Sequence, residues 1–279
     1  PFENPSYLTN VIEMVTQMLI PIAMIFALGY VINRRKMSWM IFGVMSIGFL
    51  LLTIPTVIQE MKGSPEINKL GIEQPMGSME GKEVRFGSAA SGYWSIATTV
   101  ISTGSVNAMH DSFTPLSGMN QMLAMMVNSF YGGCGVGILN FYVFIILAVF
   151  ISGLMVGRTP ELLGKKVEAK EMKIAMIIAL LHPLMILAGT AMATSFPAYT
   201  NASLNNNGFH GFSEMLYEYT SSSANNGSGF EGLGDNTPFW NISCGIIMLL
   251  GRYLPIIGPI AIAGILAGKK YIPESNGTL

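Results

Sequence analysis

Long apolar runs, rather than the narrow periodic stripes of a soluble helical domain, dominate the pattern along this chain. Five of them reach the roughly 20 mainly apolar residues that a helix needs to cross a bilayer core. They cover residues 11–32, 39–58, 122–156, 172–195 and 239–267. Two shorter amphipathic segments, 91–101 and 211–219, lie between them. Each is about half the length of a span. They are predicted to dip into the membrane as half-helices and return, with non-helical backbone buried in protein or lining a watery cavity.

Both half-helices run into a polar stretch. The first is followed by Ser102-Thr103-Gly104-Ser105-Val106-Asn107, the second by a polar run reaching Ala224-Asn225-Asn226-Gly227-Ser228. An acidic, Pro-containing lead-in to the next helix comes after each, from Asp111 to Pro115 and from Asp235 to Pro238. The opening Pro1-Phe2-Glu3-Asn4-Pro5 has the same form. The pattern predicts an all-α integral membrane protein built from repeated units of helix, pore half-helix, loop and helix, as transporters often are. Residues 1–36 are the tail of a preceding unit, and 37–170 and 171–279 are two complete units.

Composition fits a lipid environment. Only 11% of the residues are charged, against about 25% in soluble domains. A net charge of −1 argues against nucleic acid as a partner, which requires a basic patch. The basic residues are clustered. Arg34, Arg35 and Lys36 separate the first two spans; Arg158, Lys165, Lys166, Lys170 and Lys173 separate the third and fourth; Lys269 and Lys270 follow the fifth. If the spans alternate, all three clusters fall on one side, the positive-inside arrangement. The N-terminus of this chain is then outside and its C-terminus cytoplasmic. The chain starts at Pro1 within polar sequence, with no basic leader, and is read as a fragment.

The loops indicate the ligand class. Each follows a half-helix, so it faces a helix C-terminus carrying about half a negative charge. Neither 102–107 nor 224–228 contains a carboxylate. Both offer backbone carbonyls with hydroxyl and amide oxygens, the ligand set of potassium filters, whereas Ca²⁺ and Mg²⁺ sites normally use Asp or Glu. Gly104 and Gly227 permit conformations that aim carbonyls at a central ion. Taken singly, each loop also reads as a surface turn; their equivalent positions in two units favour the filter.

Here the chain resembles a known family. The segment from Phe86 to Gly92, with that from Ser102 to Pro115, is similar to the third filter region of the potassium-binding, channel-like A subunit of the Kdp-type potassium-transporting ATPase. Gly157 to Lys166 resembles that family's cytoplasmic signature, residues 220–233 its fourth filter, and Pro1 to Pro5 the stretch after its second filter. The resemblance runs over essentially the whole chain and implies four filter units around one pore. The first two filters have no counterpart in this sequence. It implies that Ser102, Thr103, Gly104 and Ser105, with Asn225, Asn226, Gly227 and Ser228, bind potassium. It also implies that the ion passes to a separate P-type ATPase catalytic subunit, with two small membrane subunits, for high-affinity uptake across a bacterial or archaeal plasma membrane. A self-sufficient potassium channel or secondary transporter of the same superfamily is the alternative.

Other residues stand out. Arg252 falls within the fifth span, where a charge costs at least about 2.5–3.5 kcal/mol; the resemblance implies a positive charge beneath the filter, set against free flow of potassium. Gly132, Gly133, Gly135 and Gly137 interrupt the third span. They read either as close packing through small residues or as a break forming a gating loop, which the resemblance favours. His110, His182 and His210 lack metal-ligand spacing, and His182 beside Pro183 reads as a packed polar group at a kink. Glu214 and Glu218 share a helical face and read as the solvated side of their half-helix. Cys134 and Cys244 form neither a disulfide framework nor a zinc pattern and read as packed thiols. No phosphate-binding Gly loop is found, so ATP hydrolysis is expected on another subunit.

Overall fold

The computed structural model describes residues 6–132 and 136–272. The helices are α1 (Tyr7–Val31), α2 (Arg35–Lys62), the short α3 (Pro65–Lys69) and α4 (Lys82–Arg85), α5 (Ser88–Ile101), α6 (Pro115–Val127) and α7 (Val136–Val156). A small hairpin, β1 (Glu161–Leu162) and β2 (Lys165–Lys166), precedes α8 (Ala169–Ser195), the short α9 (Pro197–Thr200), α10 (Phe209–Ala224) and α11 (Pro238–Ala267). Five of these helices, α1, α2, α7, α8 and α11, are long and apolar enough to cross a membrane.

The spans wear their apolar residues outward. In none is more than 33% of the most apolar window buried within the protein, and side chains such as Val31, Leu51, Met155 and Leu187 are exposed. In water such a surface would drive association; against lipid it is the ordinary outer face. The interior combines hydrophobic clusters with many buried polar side chains. Ser91, Ser95, Thr98 and Thr99 of α5, and Thr220, Ser221 and Ser223 of α10, are all buried. Several of these hydroxyls are satisfied by carbonyls on their own helix, as Thr99 by Ser95 O at 2.8 Å and Thr220 by Leu216 O at 2.7 Å.

Two triads of helices pack in the same way. In the first, α5 is held between α2 and α6; in the second, α10 is held between α8 and α11. α1 lies against α2 and α5, and the triads meet through α6 with α10 and through α7 with α8 and α11. Helix starts follow local chemistry. Ser6 and Thr9 form a capping box at α1, Glu168 and Glu171 one at α8, and Thr237 caps α11 with Pro238 as its first residue.

Three expectations are corrected. The third span does not run from 122 to 156: α6 ends at Asn128, which has a positive φ of 46°, and α7 starts at Val136. Tyr131 and Gly132 also take positive φ, which an α-helix excludes. The second half-helix does not stop at Tyr219 but continues to Ala224, because its Ser and Thr hydroxyls are enclosed among helices and bond back to the chain. The hairpin interrupts an otherwise all-helical fold. Its turn, Leu163-Gly164, has positive φ at both residues, the arrangement that matches strand twist in two-residue hairpins. The end of α11 docks on it: Ile272 N–H donates to Gly164 O at 2.9 Å, and Lys269 Nζ lies 2.9 Å from carboxylate oxygens of both Glu168 and Glu171.

Candidate cation site

The two loops have the same backbone design. Ser102 (φ 60°, ψ 48°) and Asn225 (φ 54°, ψ 38°) each close a half-helix in the left-handed region. The next residue turns its N–H back into the helix: Thr103 N to Thr98 O at 3.2 Å, and Asn226 N to Ser221 O at 2.9 Å. Gly104 (φ 77°) and Gly227 (φ 96°) follow, in a region that other residues enter at a cost of roughly 1–2 kcal/mol. The donors therefore point inward. Among the described residues, the carbonyls of Thr103, Gly104, Asn226 and Gly227 accept no hydrogen bond, and the buried Ser102 Oγ has no partner. Free oxygens at a helix C-terminus favour a cation.

The structure brings the two loops together. Asn226 Nδ2 donates to Thr98 O at 2.8 Å, crossing from the second loop to the first half-helix. A Cβ built on Gly104 would run into the Asn226 carbonyl, so the chains touch at this point. An aromatic side chain buttresses each loop from its own half-helix. Trp94 Nε1 donates to Ser105 O at 2.9 Å, and the Tyr217 hydroxyl lies 2.9 Å from Ser228 Oγ. Aligning Ser102 with Asn225 also aligns Trp94 with Tyr217 and Ser105 with Ser228.

Arg252 lies against the second loop. Its Nε donates to Asn225 Oδ1 at 3.2 Å, while Asn225 Nδ2 donates to Met248 O at 3.1 Å. Gly251 leaves room for this contact, since a Cβ there would strike the Ser223 carbonyl. Arg252, both loops, Glu218, Glu231 and Asp235 line a cavity of about 630 Å³. At the aligned position on the other unit, Ser129, the helix is broken instead. Gly132 N–H there donates to Val100 O at the end of α5, at 3.0 Å, and Gly132 and Gly137 pack so closely that a Cβ on either would collide with the other. Gly133, Gly135 and Cys134 lie outside the described residues. A second cavity of about 410 Å³ runs beneath the loops, lined by Asn128, Asn140, His182, Ser223 and Gly251. His182 bridges the two units across it: Nε2 donates to Met125 O at 2.9 Å, and Nδ1 lies 2.7 Å from Ser223 Oγ.

Glu214 and Glu218 are not a solvated face. Glu214 is fully buried and its carboxylate accepts the N–H groups of Asn205 and Asn206, each at 3.1 Å, tying the preceding loop to α10. Glu218 lines the larger cavity. The histidines lack ligand spacing in sequence, yet folding gathers Asp111, His210 and Glu214 within 4.8 Å of one another. His210 Nε2 and Asp111 Oδ1 form a 2.6 Å contact between units, and no local motif announces it. Lys82 was also hidden: it is buried against Glu60 at 3.5 Å, and Glu60 accepts the N–H and hydroxyl of Thr114 at the start of α6. Burial lowers the Lys82 pKa, with Glu60 opposing it. Cys244 is a half-buried free thiol.

The profile of the family described as potassium-transporting ATPase A subunit matches residues 1–279. The chain belongs to that family. It is 69% identical to a potassium-transporting ATPase potassium-binding subunit of Flavobacterium johnsoniae, covering 100% of this chain and 51% of that protein. The corresponding protein of Geobacillus kaustophilus is 52% identical, with 100% of this chain and 50% of that protein covered. The chain thus spans about half the length of the curated relatives it matches.

Proposed function

We propose that this chain forms the second half of a potassium-binding and translocating subunit, acting in an ATP-driven uptake complex. The observation that carries the reading is the pair of loops: two half-helix C-termini of one backbone design, touching each other, with carbonyls that accept no hydrogen bond among the described residues. On this reading residues 1–36 close a second unit, 37–170 form the third and 171–279 the fourth. Ser102 to Ser105 and Asn225 to Ser228 supply oxygens that replace the hydration shell of potassium. A complete ring needs two more loops from the first half of the subunit.

Arg252, drawn against Asn225, sets a positive charge beside the ion path and opposes free leak. The break at 128–132, with Gly133, Gly135 and Gly137, serves as the gate beneath the third unit. ATP is hydrolysed by a separate P-type ATPase subunit, and two small membrane subunits complete the complex. The subunit sits in a bacterial or archaeal plasma membrane, with the loops facing outward and the hairpin and Lys269 cluster in the cytoplasm.

The test is growth of a strain lacking potassium uptake, carrying the full-length subunit with this sequence as its second half and its partner subunits. The parent is expected to grow at micromolar potassium, and Gly104→Asp and Gly227→Asp to require far more. Variants that grow like the parent would show the loops to be ordinary turns.

A further inference from the structure

We propose that His110 is a positioning residue for the second loop: acting through Tyr217 and Ser228, it fixes the Asn226 amide and so couples the two potassium-binding loops. The proposal rests on the functional reading above. His110 belongs to the first unit, in the turn between its loop and α6, whereas Tyr217, Ser228 and Asn226 belong to the second. His110 Nδ1 lies 2.6 Å from the Tyr217 hydroxyl, that hydroxyl 2.9 Å from Ser228 Oγ, and Ser228 Oγ 2.5 Å from Asn226 Oδ1. Asn226 Nδ2 then returns to the first unit at Thr98 O. All four side chains are buried.

The proton positions follow from the ends of the chain. A carbonyl only accepts, so the Asn226 amide must turn its NH₂ to Thr98 O. Its Oδ1 then faces Ser228, accepting both that residue's N–H, at 2.9 Å, and its hydroxyl. With its proton given to Asn226, Ser228 Oγ accepts from Tyr217. With its proton given to Ser228, the Tyr217 oxygen accepts from His110 Nδ1–H. Every donor points the same way, and neighbouring bonds so aligned strengthen one another. The assignment leaves Nε2 of His110 as a bare acceptor, buried and without a partner. The opposite tautomer would strand an N–H there, the costlier defect.

The surroundings hold His110 in this state. Its main-chain N–H donates to Glu231 Oε2 at 2.8 Å, and the rings of Phe113 and Tyr217 pack edge-on at 5.8 and 6.0 Å. Burial lowers its pKa to about 3, so the ring is neutral across physiological pH and carries one N–H. Asn226 is also the residue whose carbonyl meets Gly104. The side-chain bond to Thr98 O thus anchors the same residue whose main-chain carbonyl faces Gly104.

The experiment uses the full-length subunit in its assembled complex and compares His110→Asn, His110→Gln and Tyr217→Phe with the parent. An Asn amide places an N–H near the Nδ1 position; a Gln amide reaches the Nε2 position instead. Potassium uptake is measured for half-saturating concentration and for discrimination against rubidium, with the yield of assembled complex as a control. His110→Gln and Tyr217→Phe are expected to raise the half-saturating concentration about tenfold, the scale of a lost buried hydrogen bond, and to weaken discrimination. The effect falls on half-saturation more than on maximal rate. His110→Asn is expected to recover most of the parent's affinity. If His110→Gln does not assemble, Tyr217→Phe, which removes a single oxygen, decides on the same readouts. Parental affinity and discrimination in Tyr217→Phe, or an Asn variant as impaired as Gln, would overturn the proposal. A parent that takes up no potassium would overturn the functional reading and this inference with it.

Discussion

Around the first loop, support is direct. Trp94 reaches Ser105 O in one hydrogen bond, the lead-in to α6 is held by the buried Glu60–Lys82 pair, and the helix beneath breaks at Asn128. Around the second loop, support is relayed. Tyr217 reaches Ser228 by its side chain and continues to His110 in the other unit, and the helix beneath runs unbroken from Pro238 to Ala267, with Arg252 where its counterpart breaks. Two loops of one backbone design are thus fixed by different means. The same backbone turn is reached beside different neighbouring side chains, because backbone turns depend on φ and ψ while buttresses depend only on reaching the right atom.

The first way to break this comparison is at the buried Glu60–Lys82 ion pair of the first unit. Lys82→Met leaves Glu60 buried without its cation, which typically costs about 3–5 kcal/mol. A large fall in thermal stability of the purified complex is expected, with Glu60→Gln in the Lys82→Met background restoring part of it. The same stability after Lys82→Met would mean that the pair does not anchor the first lead-in.

Alanine at the two glycines sharpens the contrast. Gly104→Ala combines strained φ with collision against the Asn226 carbonyl, whereas a Cβ on Gly227 meets nothing within 4 Å. Potassium affinity is expected to fall roughly a hundredfold for Gly104→Ala and about tenfold for Gly227→Ala, the latter reflecting backbone strain of about 1–2 kcal/mol. Equal losses in uptake assays would argue that the loop contact contributes little. Trp94→Phe removes the direct buttress and is expected to weaken affinity by about fivefold to tenfold, confined to the first loop. A loss of discrimination much larger in Trp94→Phe than in Tyr217→Phe would make the first loop the dominant one.

The smallest effect is expected at the hairpin end. Hydrogen bonding to Lys269, then to Lys166, holds the Glu168 carboxyl below its usual pKa. Its contribution is present above the ordinary carboxylate range and is lost as pH falls through the lowered value. A Glu168→Gln variant should therefore show a slightly flatter fall in melting temperature on acidification, with potassium affinity unaffected.

The spans, the half-helices and the position of a loop at the end of each were legible in the sequence. Apolar runs of membrane length and Gly/Ser/Asn clusters after short amphipathic segments are local signals. The break near Gly132 was legible too, though its result, an α6 of only 13 residues, was not. What escaped was polar chemistry at long range. Glu214 read as solvated, yet it is buried under Asn205 and Asn206. No local signal marks Lys82, which is enclosed with Glu60. His110, His210 and Asp111 find partners more than ninety residues away.

By itself, the sequence determined the solvent and the kind of oxygen the two loops can offer. A chain so apolar must face lipid, and loops without carboxylates can offer a cation only dipoles and neutral oxygens. Tertiary structure alone decided that the two loops touch at Gly104 and Asn226, that Arg252 reaches Asn225, and that His110 of one unit orients a side chain of the next. The physical reason is range. Hydropathy and turn preference act within a few residues, whereas a buried polar group must be satisfied by whatever the fold brings within about 3 Å, and sequence spacing carries no record of that neighbour.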